Sequence, residues 1–211
     1  ISILQDTDGD GVMDKKQIFY EGLERVTSLV LYQDGCIVSQ APDILRLRDT
    51  NGDGKADKVE KLYTNLGLRD THAVINNLRW GFDGWIYATH GYSSSPHVTS
   101  GDGARDFGNI SSGVVRFKPD GTAFEQYSSK GGNTWGLQLS WDNEVFWTQP
   151  TSGDLLMHVV LSENTLSRGR VPGTASFQIV EKSIPVFPLI PYDQLAYVQI
   201  DQVGRFTAAS G

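Results

Sequence analysis

Leu78-Arg79-Trp80-Gly81-Phe82-Asp83-Gly84-Trp85-Ile86 decides the fold. Two apolar runs are split by Asp-Gly, the strongest short-range signal for a β-hairpin. The same grammar occurs 49 residues earlier, in Leu29-Val30-Leu31-Tyr32-Gln33-Asp34-Gly35-Cys36-Ile37. It recurs 59 residues later, in Leu137-Gln138-Leu139-Ser140-Trp141-Asp142-Asn143-Glu144-Val145. A further strand follows each hairpin, at Asp43 to Leu47, Gly113 to Phe117 and Asp154 to Val159, with Arg46 and Arg116 in the same slot. A fourth strand closes each unit, at Lys16 to Tyr20, Val59 to Tyr63, Thr122 to Tyr127 and Ser176 to Lys182. No stretch longer than about ten residues carries a helical stripe.

Four short strands recurring every 43 to 59 residues predict an all-β chain with the blade pattern of a β-propeller. The spacing divides the chain into blade-sized units at about 1–43, 44–113, 114–153 and 154–211, within a single propeller domain. Residues 91–112, rich in Ser and Gly, read as an insertion loop. Pro185, Pro188 and Pro191 exclude a central strand over 184–192, which reads as an extended arm, and 196–200 reads as one more strand. Three units and part of a fourth are fewer than most rings need. The chain, opening at Ile1 with no leader-like segment, is therefore expected to be a fragment of a larger ring.

The 211 residues are 39% hydrophobic and 20% charged, an ordinary globular balance. The formal charge of −7 lacks the basic footprint of a nucleic-acid binder and disfavours anionic membrane surfaces. No run approaches ~18 apolar residues, so no transmembrane segment is expected. The single cysteine, Cys36, excludes an intrachain disulfide and a cysteine-based zinc cluster. It falls in the strand slot held by Trp85 in the second copy, and reads as a small buried group.

Two acidic loops stand out. Asp6-Thr7-Asp8-Gly9-Asp10-Gly11-Val12-Met13-Asp14 recurs 43 residues later as Asp49-Thr50-Asn51-Gly52-Asp53-Gly54-Lys55-Ala56-Asp57. A hard cation such as Ca²⁺ takes six to eight oxygens, which a twelve-residue loop supplies from alternate positions with Gly at the sixth. The second loop offers Asp49, Asn51, Asp53, the Lys55 carbonyl, Asp57 and Glu60. The first offers Asp6, Asp8, Asp10, the Val12 carbonyl and Asp14, but its twelfth position is Gln17, so it is expected to bind more weakly. Asp-Gly stretches are also common solvated turns. Four carboxylates within nine residues repel one another, and a cation relieves that. Since the flanks read as strands, the ion's expected role is to lock a strand-to-strand turn.

Among the histidines, His158 lies within a strand and reads as packed, His97 sits in the insertion, and His90 ends a strand. His72, in Arg69-Asp70-Thr71-His72, lies just before the innermost strand of its unit, at the expected channel mouth. An imidazole there can act as a general base, or can simply cap the loop. Asn133 occupies the matching place in the third unit, and Arg69 adds a positive charge for an anionic group. Of the five tryptophans, Trp80, Trp85, Trp141 and Trp147 read as blade core. Trp135, beside Asn133, is the candidate for stacking on a sugar. No nucleophile elbow, Walker loop or dinucleotide fingerprint is present.

The paired acidic loops, Asp70-Thr71-His72, the stretch from Leu78 to Tyr87, and Gly113 to Gly121 together resemble the membrane-bound dehydrogenase propellers of the planctomycete type. The segment from Tyr197 to Gly211 fits the same pattern, so the resemblance covers nearly the whole chain. More distantly the chain is similar to the soluble glucose and sorbosone dehydrogenases, six-bladed propellers that use pyrroloquinoline quinone (PQQ). The resemblance implies His72 as the base that takes the substrate hydroxyl proton and Asn133 as a quinone contact. It also implies a sugar or alcohol substrate, a cytochrome c domain or protein as electron acceptor, and a periplasmic or extracellular location. The Arg and Pro that flank the matching Asn in those enzymes are replaced here by Gly132 and Thr134. The rival expectation is a non-catalytic propeller that binds polysaccharide or protein through its channel face.

Overall fold

The computed structural model describes residues 1–149, 154–169 and 173–181. Its strands form four antiparallel sheets, so the chain is all-β. β1 (Ser2–Gln5) and β2 (Lys15–Ile18) make a two-stranded hairpin around the first acidic loop. β3 (Ser28–Tyr32), β4 (Gly35–Gln40), β5 (Asp43–Arg48) and β6 (Lys58–Thr64) form a four-stranded meander. β7 (Asn76–Trp80) and β8 (Ile86–His90) begin the next sheet. Before completing it the chain returns to the first meander, where β9 (Thr99–Ser100) pairs with β6. β10 (Gly113–Phe117) and β11 (Phe124–Ser129) then finish the second sheet. The third comprises β12 (Leu137–Leu139), β13 (Val145–Thr148), β14 (Leu156–Val159) and β15 (Phe177–Glu181).

The three hairpins fall where the sequence puts them. Tyr32 pairs with Gly35, Trp80 with Ile86, and Leu139 with Val145. The first turn takes its left-handed residue from Gln33, at φ 49°, and not from glycine. Gly35 is needed for another reason: a Cβ there would stand 2.0 Å from the Leu47 carbonyl oxygen on β5. The expected unit breaks at 43/44 and 113/114 cut through β5 and β10. The second acidic loop lies between the third and fourth strands of its sheet, and the first lies within the β1–β2 hairpin.

The insertion departs from a plain loop. Val98 and Ile110 are buried between the first two sheets, and bridges join Ser95 to Ile110 and Thr99 to Asp106. Its few apolar residues pay for the excursion by closing the core. A helix, α1 (Glu163–Gly169), was also not expected. At seven residues it is too short to show a periodic stripe. It starts at Ser162, whose Oγ accepts the Thr165 amide, and Glu163 accepts the Ser129 backbone amide and hydroxyl of β11. Among the described residues no helix is long and apolar enough to cross a membrane. The proline arm and the strand expected at 196–200 lie outside the described residues.

Period-two alternation makes each sheet a two-faced apolar slab. Val30, Ile37 and Ile44 of the first sheet meet Leu78, Ile86, Val115 and Phe117 of the second. Tyr63 sits at the centre, edge-on to Phe107, Phe117 and Phe124, and its hydroxyl donates to the Lys118 and Ala123 carbonyls. Burial pushes that phenol well above its ordinary value. Tyr87 and Val114 meet Leu137, Val145, Trp147 and Met157 of the third sheet. Cys36, Val38, Leu45 and Leu47 pack under Phe19, Ile1 and Leu23, and burial pushes the Cys36 thiol up to about 11.

The first strands of the sheets lie side by side. Thr27 donates its hydroxyl to the Ile75 carbonyl at 2.6 Å, the Leu78 amide donates to Ser28 Oγ at 2.9 Å, and Asn77 donates to the Trp135 carbonyl. The first two of the larger sheets each carry an arginine on the third strand. Arg46 reaches Asp34 and Glu60 over the Tyr32 ring. Arg116 reaches Asp83 and Glu125 between Trp85 and Tyr127. In the third sheet His158 takes the slot, bonded to Glu144 and Gln178 and stacked on Phe146.

Candidate functional site

The loops at the start of β7 and β12 come together at one end of the sheets. Asp70 is clipped to the neighbouring loop by Ser93, which donates its hydroxyl to the Asp70 carbonyl at 2.8 Å and accepts the Asp70 amide at 3.2 Å. The His72 amide donates to Asp70 Oδ1, fixing the backbone of the next turn. From the third sheet, Asn133 Nδ2 and Trp135 Nε1 both donate to the His72 carbonyl, at 3.2 and 2.9 Å. The imidazole itself is 92% exposed, with Nδ1 3.6 Å from Asp70 Oδ1. Arg69, Asp70, Thr71 and Tyr92 line an open cleft of about 570 Å³ beside it.

Thus Arg69 and His72 of one loop and Asn133 of another, 61 residues after His72, share one end of the molecule. The structure gives Asn133 and Trp135 work that sequence reading did not. Both hold the His72 main chain, and the half-buried Trp135 ring is tied at its indole nitrogen.

The two acidic loops share one bonding pattern, the Thr7 hydroxyl and amide meeting Asp14 as those of Thr50 meet Asp57. In the first, ligand oxygens of Asp6, Asp8 and Asp14 lie within 4.8 Å of one another, the only such group of acidic, His or Cys side chains among the described residues. Oxygens that share a Ca²⁺ ion at 2.3–2.6 Å are separated by no more than about 5 Å, so the spacing fits. Asp6 accepts the Gly9 and Gly11 amides, and these N–H groups, Gly11 foremost, hold its carboxyl below the usual carboxylate range. Asp10 lies outside the group and accepts the Val12 amide.

In the second loop Asp49 accepts the Gly52, Asp53 and Gly54 amides, Asn51 accepts from Asp53, and Asp53 accepts from Lys55. Asp57 is engaged by the amide and hydroxyl of Thr50, which lower its carboxyl. Glu60 sits on β6 facing Lys58 at 2.6 Å, with Arg46 and Arg48 beyond, and this set, Lys58 foremost, lowers its carboxyl too. It is engaged by the cations of its own sheet, as β6 starts one residue after Asp57 and turns the twelfth position onto the strand. The carboxylate group of the first loop has its counterpart in Asp49, Asn51 and Asp57 of the second, where an amide replaces Asp8.

A family model described as "Domain of unknown function (DUF7133)" matches residues 1–211. The chain belongs to this family. No curated protein and no solved structure matches it.

Two features of this DUF7133 chain escaped sequence reading. His90, at the end of β8, is fully buried, with Nε2 2.8 Å from Ser95 Oγ, and burial pushes its imidazole down to about 4. It acts as a neutral packing group, as His158 was expected to. His158 instead serves its sheet as the counterpart of Arg46 and Arg116. The tryptophans also divide differently. Trp147 is core, but Trp141 is 87% exposed and Trp80 is partly exposed. A turn residue before Asp has no sheet face to pack on, which the position of Trp141 directly before Asp142 signals.

Proposed function

We propose that this chain is part of a calcium-stabilised β-propeller from a PQQ-dependent sugar or alcohol dehydrogenase, with His72 as the base. The observation that carries the reading is the meeting of Asn133 and Trp135 with the His72 main chain at one end of β7 and β12, next to the loop residues Arg69 and Thr71 that line a cleft. Three consecutive four-stranded meanders with adjacent first strands support a radial arrangement of blades, the larger ring having six. In such a ring the loops preceding the first strands face the channel mouth.

His72 has the exposure a base needs, and its position is set by main-chain bonds, which leaves the ring free to meet a substrate hydroxyl. A cleft of about 570 Å³ is in the range of small-ligand sites. Arg69 and Thr71 supply the donors there for a carboxylate-bearing quinone. Asn133 acts by holding His72. When bound, PQQ supplies a hydride acceptor. Ca²⁺ is assigned to both acidic loops, Asp6 to Asp14 and Asp49 to Asp57. Millimolar-range affinity of such loops suits a periplasmic or extracellular setting.

The test is dye reduction by the full-length protein loaded with Ca²⁺ and PQQ, over a panel of aldoses and alcohols. Quinone-dependent turnover that drops at least 100-fold in His72→Ala is expected. No quinone-dependent reduction, or turnover untouched in His72→Ala, would remove the assignment.

A further inference from the structure

Opposite the His72 end, β7 and β12 run into hairpin turns that carry exposed aromatic rings. Phe82 is 80% exposed and Trp141 is 87% exposed. They hold the same place in their turns, each directly before the turn aspartate. The turns touch: the Phe82 amide donates to Asn143 Oδ1 at 2.9 Å. Trp80, partly exposed and tied through Nε1 to the Leu31 carbonyl, continues the row towards the first sheet, where Tyr32 lies 5.6 Å from it.

These rings are held on a stiff frame. The Gly81 amide bonds the Trp85 carbonyl, and the Trp85 amide and Tyr87 hydroxyl bond Asp83. A Cβ at Gly81 would stand 2.5 Å from Asp83 Oδ1 and 3.0 Å from Asn143 Oδ1, so a side chain here would displace the groups that join the two turns. Ser140, through its backbone and hydroxyl, closes the Trp141 turn onto Asp142, Asn143 and Glu144. Exposed aromatic side chains cost hydration free energy and carry no load in this core. Their repetition on adjacent rigid turns marks a contact surface.

We infer that Phe82 and Trp141 form a binding platform for a neutral glycan chain whose sugars present flat C–H faces, as β-1,4-linked glucose units do. Three observations select this occupant. The rings stand singly among Asp83, Asp142, Asn143 and Glu144, whereas the centre of a protein interface is depleted in charge. Asp83 and the Asn143 oxygen serve the turns themselves, while the second oxygens of Asp142 and Glu144 can accept sugar hydroxyls, and in a chain of net charge −7 these carboxylates repel a polyanion. The turns are already fixed by hydrogen bonds, so a shallow ligand meets them without an ordering cost. The platform lies at the other end of β7 and β12 from His72 and does not depend on the dehydrogenase reading.

The experiment is native affinity electrophoresis of the full chain in gels with and without hydroxyethyl cellulose or glucomannan, with alginate as the polyanionic comparison. Retardation is expected in the neutral glycans and not in alginate. Phe82→Ala and Trp141→Ala should each lose most of it and the double variant all of it, while Phe82→Trp and His72→Ala keep it. Both rings are exposed, so the melting temperatures of these variants should stay at the wild-type value. Equal mobility of the wild type in all gels overturns the inference, as does a double variant retarded like the wild type. Wild-type self-association abolished by Trp141→Ala, without glycan retardation, would overturn it too and assign the rings to a contact between copies.

Discussion

Gln17 donates its side-chain amide to the carbonyl of Asp53 at 2.9 Å. The residue that breaks the twelfth position of the first acidic loop thus ties that loop to the second, and the Ala56 amide bonded to the Phe19 carbonyl at 2.7 Å makes a second tie. The β1–β2 hairpin and the β5–β6 turn therefore form one unit. If Ca²⁺ binds with the 10⁻⁴–10⁻³ M affinity of extracellular modules, about 10 mM should add roughly 1–3 kcal/mol of stability, reversed by EGTA. Asp6→Asn and Asp49→Asn should each remove part of this gain. Gln17→Ala should keep the calcium response and lower the stability by about 1 kcal/mol. A melting temperature indifferent to Ca²⁺ sinks the metal assignment.

Gly35→Ala tests the close approach of β4 to β5. The new methyl would meet the Leu47 carbonyl oxygen, a backbone atom that moves only with its strand. The expected loss is about 2 kcal/mol in urea unfolding. A neutral substitution would show that the two strands are looser than this geometry requires.

The hairpins were legible because Asp-Gly or Asp-Asn between apolar runs encodes them locally, and the third strands because an apolar run follows each hairpin, whereas Lys16 to Tyr20, expected to close a unit as its fourth strand, pairs among the described residues only with β1. β9 was not legible, since two residues of a Ser/Gly-rich insertion pair with β6 only through the distant burial of Val98 and Ile110. The meeting of Arg69, His72 and Asn133 followed from repeat equivalence, which fixes the strand end on which each lies. Glu60 shows the limit of motif reading. Spacing placed it in the second loop, but strand pairing opposite Arg46 and beside Arg48 gave its carboxylate to the sheet. The exposure of Trp141 was legible only from its place directly before Asp142 in a turn, since residue type alone puts a tryptophan in the core.

Arg116 is held by Glu125 at 2.6 Å and Asp83 at 3.2 Å, with its guanidinium 4.3 Å from the Trp85 ring centre and 4.8 Å from that of Tyr127. Arg116→Ala leaves two partly buried carboxylates without their cation and empties the aromatic slot. It should cost about 2–3 kcal/mol. Arg116→Lys keeps the charge but loses the planar fork, and should recover less than half. Chemical denaturation separates the cases, and a lysine variant as stable as the wild type would leave only a charge effect.

His90 predicts a stability profile in mild acid. Its imidazole titrates at 6.5 in the unfolded chain and is pushed by burial down to about 4 in the folded one. As the pH falls below 6.5 the unfolded chain takes up a proton that the folded chain refuses, so stability drops until about pH 4 and then stops responding to this group. The difference corresponds to about 3 kcal/mol. The lowered carboxyls of Asp6, Asp34, Asp57 and Glu60 act at lower pH, since their contribution is lost only as the pH falls through and below the ordinary carboxylate values. His90→Gln retains a polar group that can reach Ser95 Oγ but cannot titrate. Urea midpoints measured from pH 8 to 4.5 should therefore fall steeply for the wild type and remain nearly level for the variant. Parallel curves would mean that His90 is solvated in the native state, contrary to its burial behind Ser95.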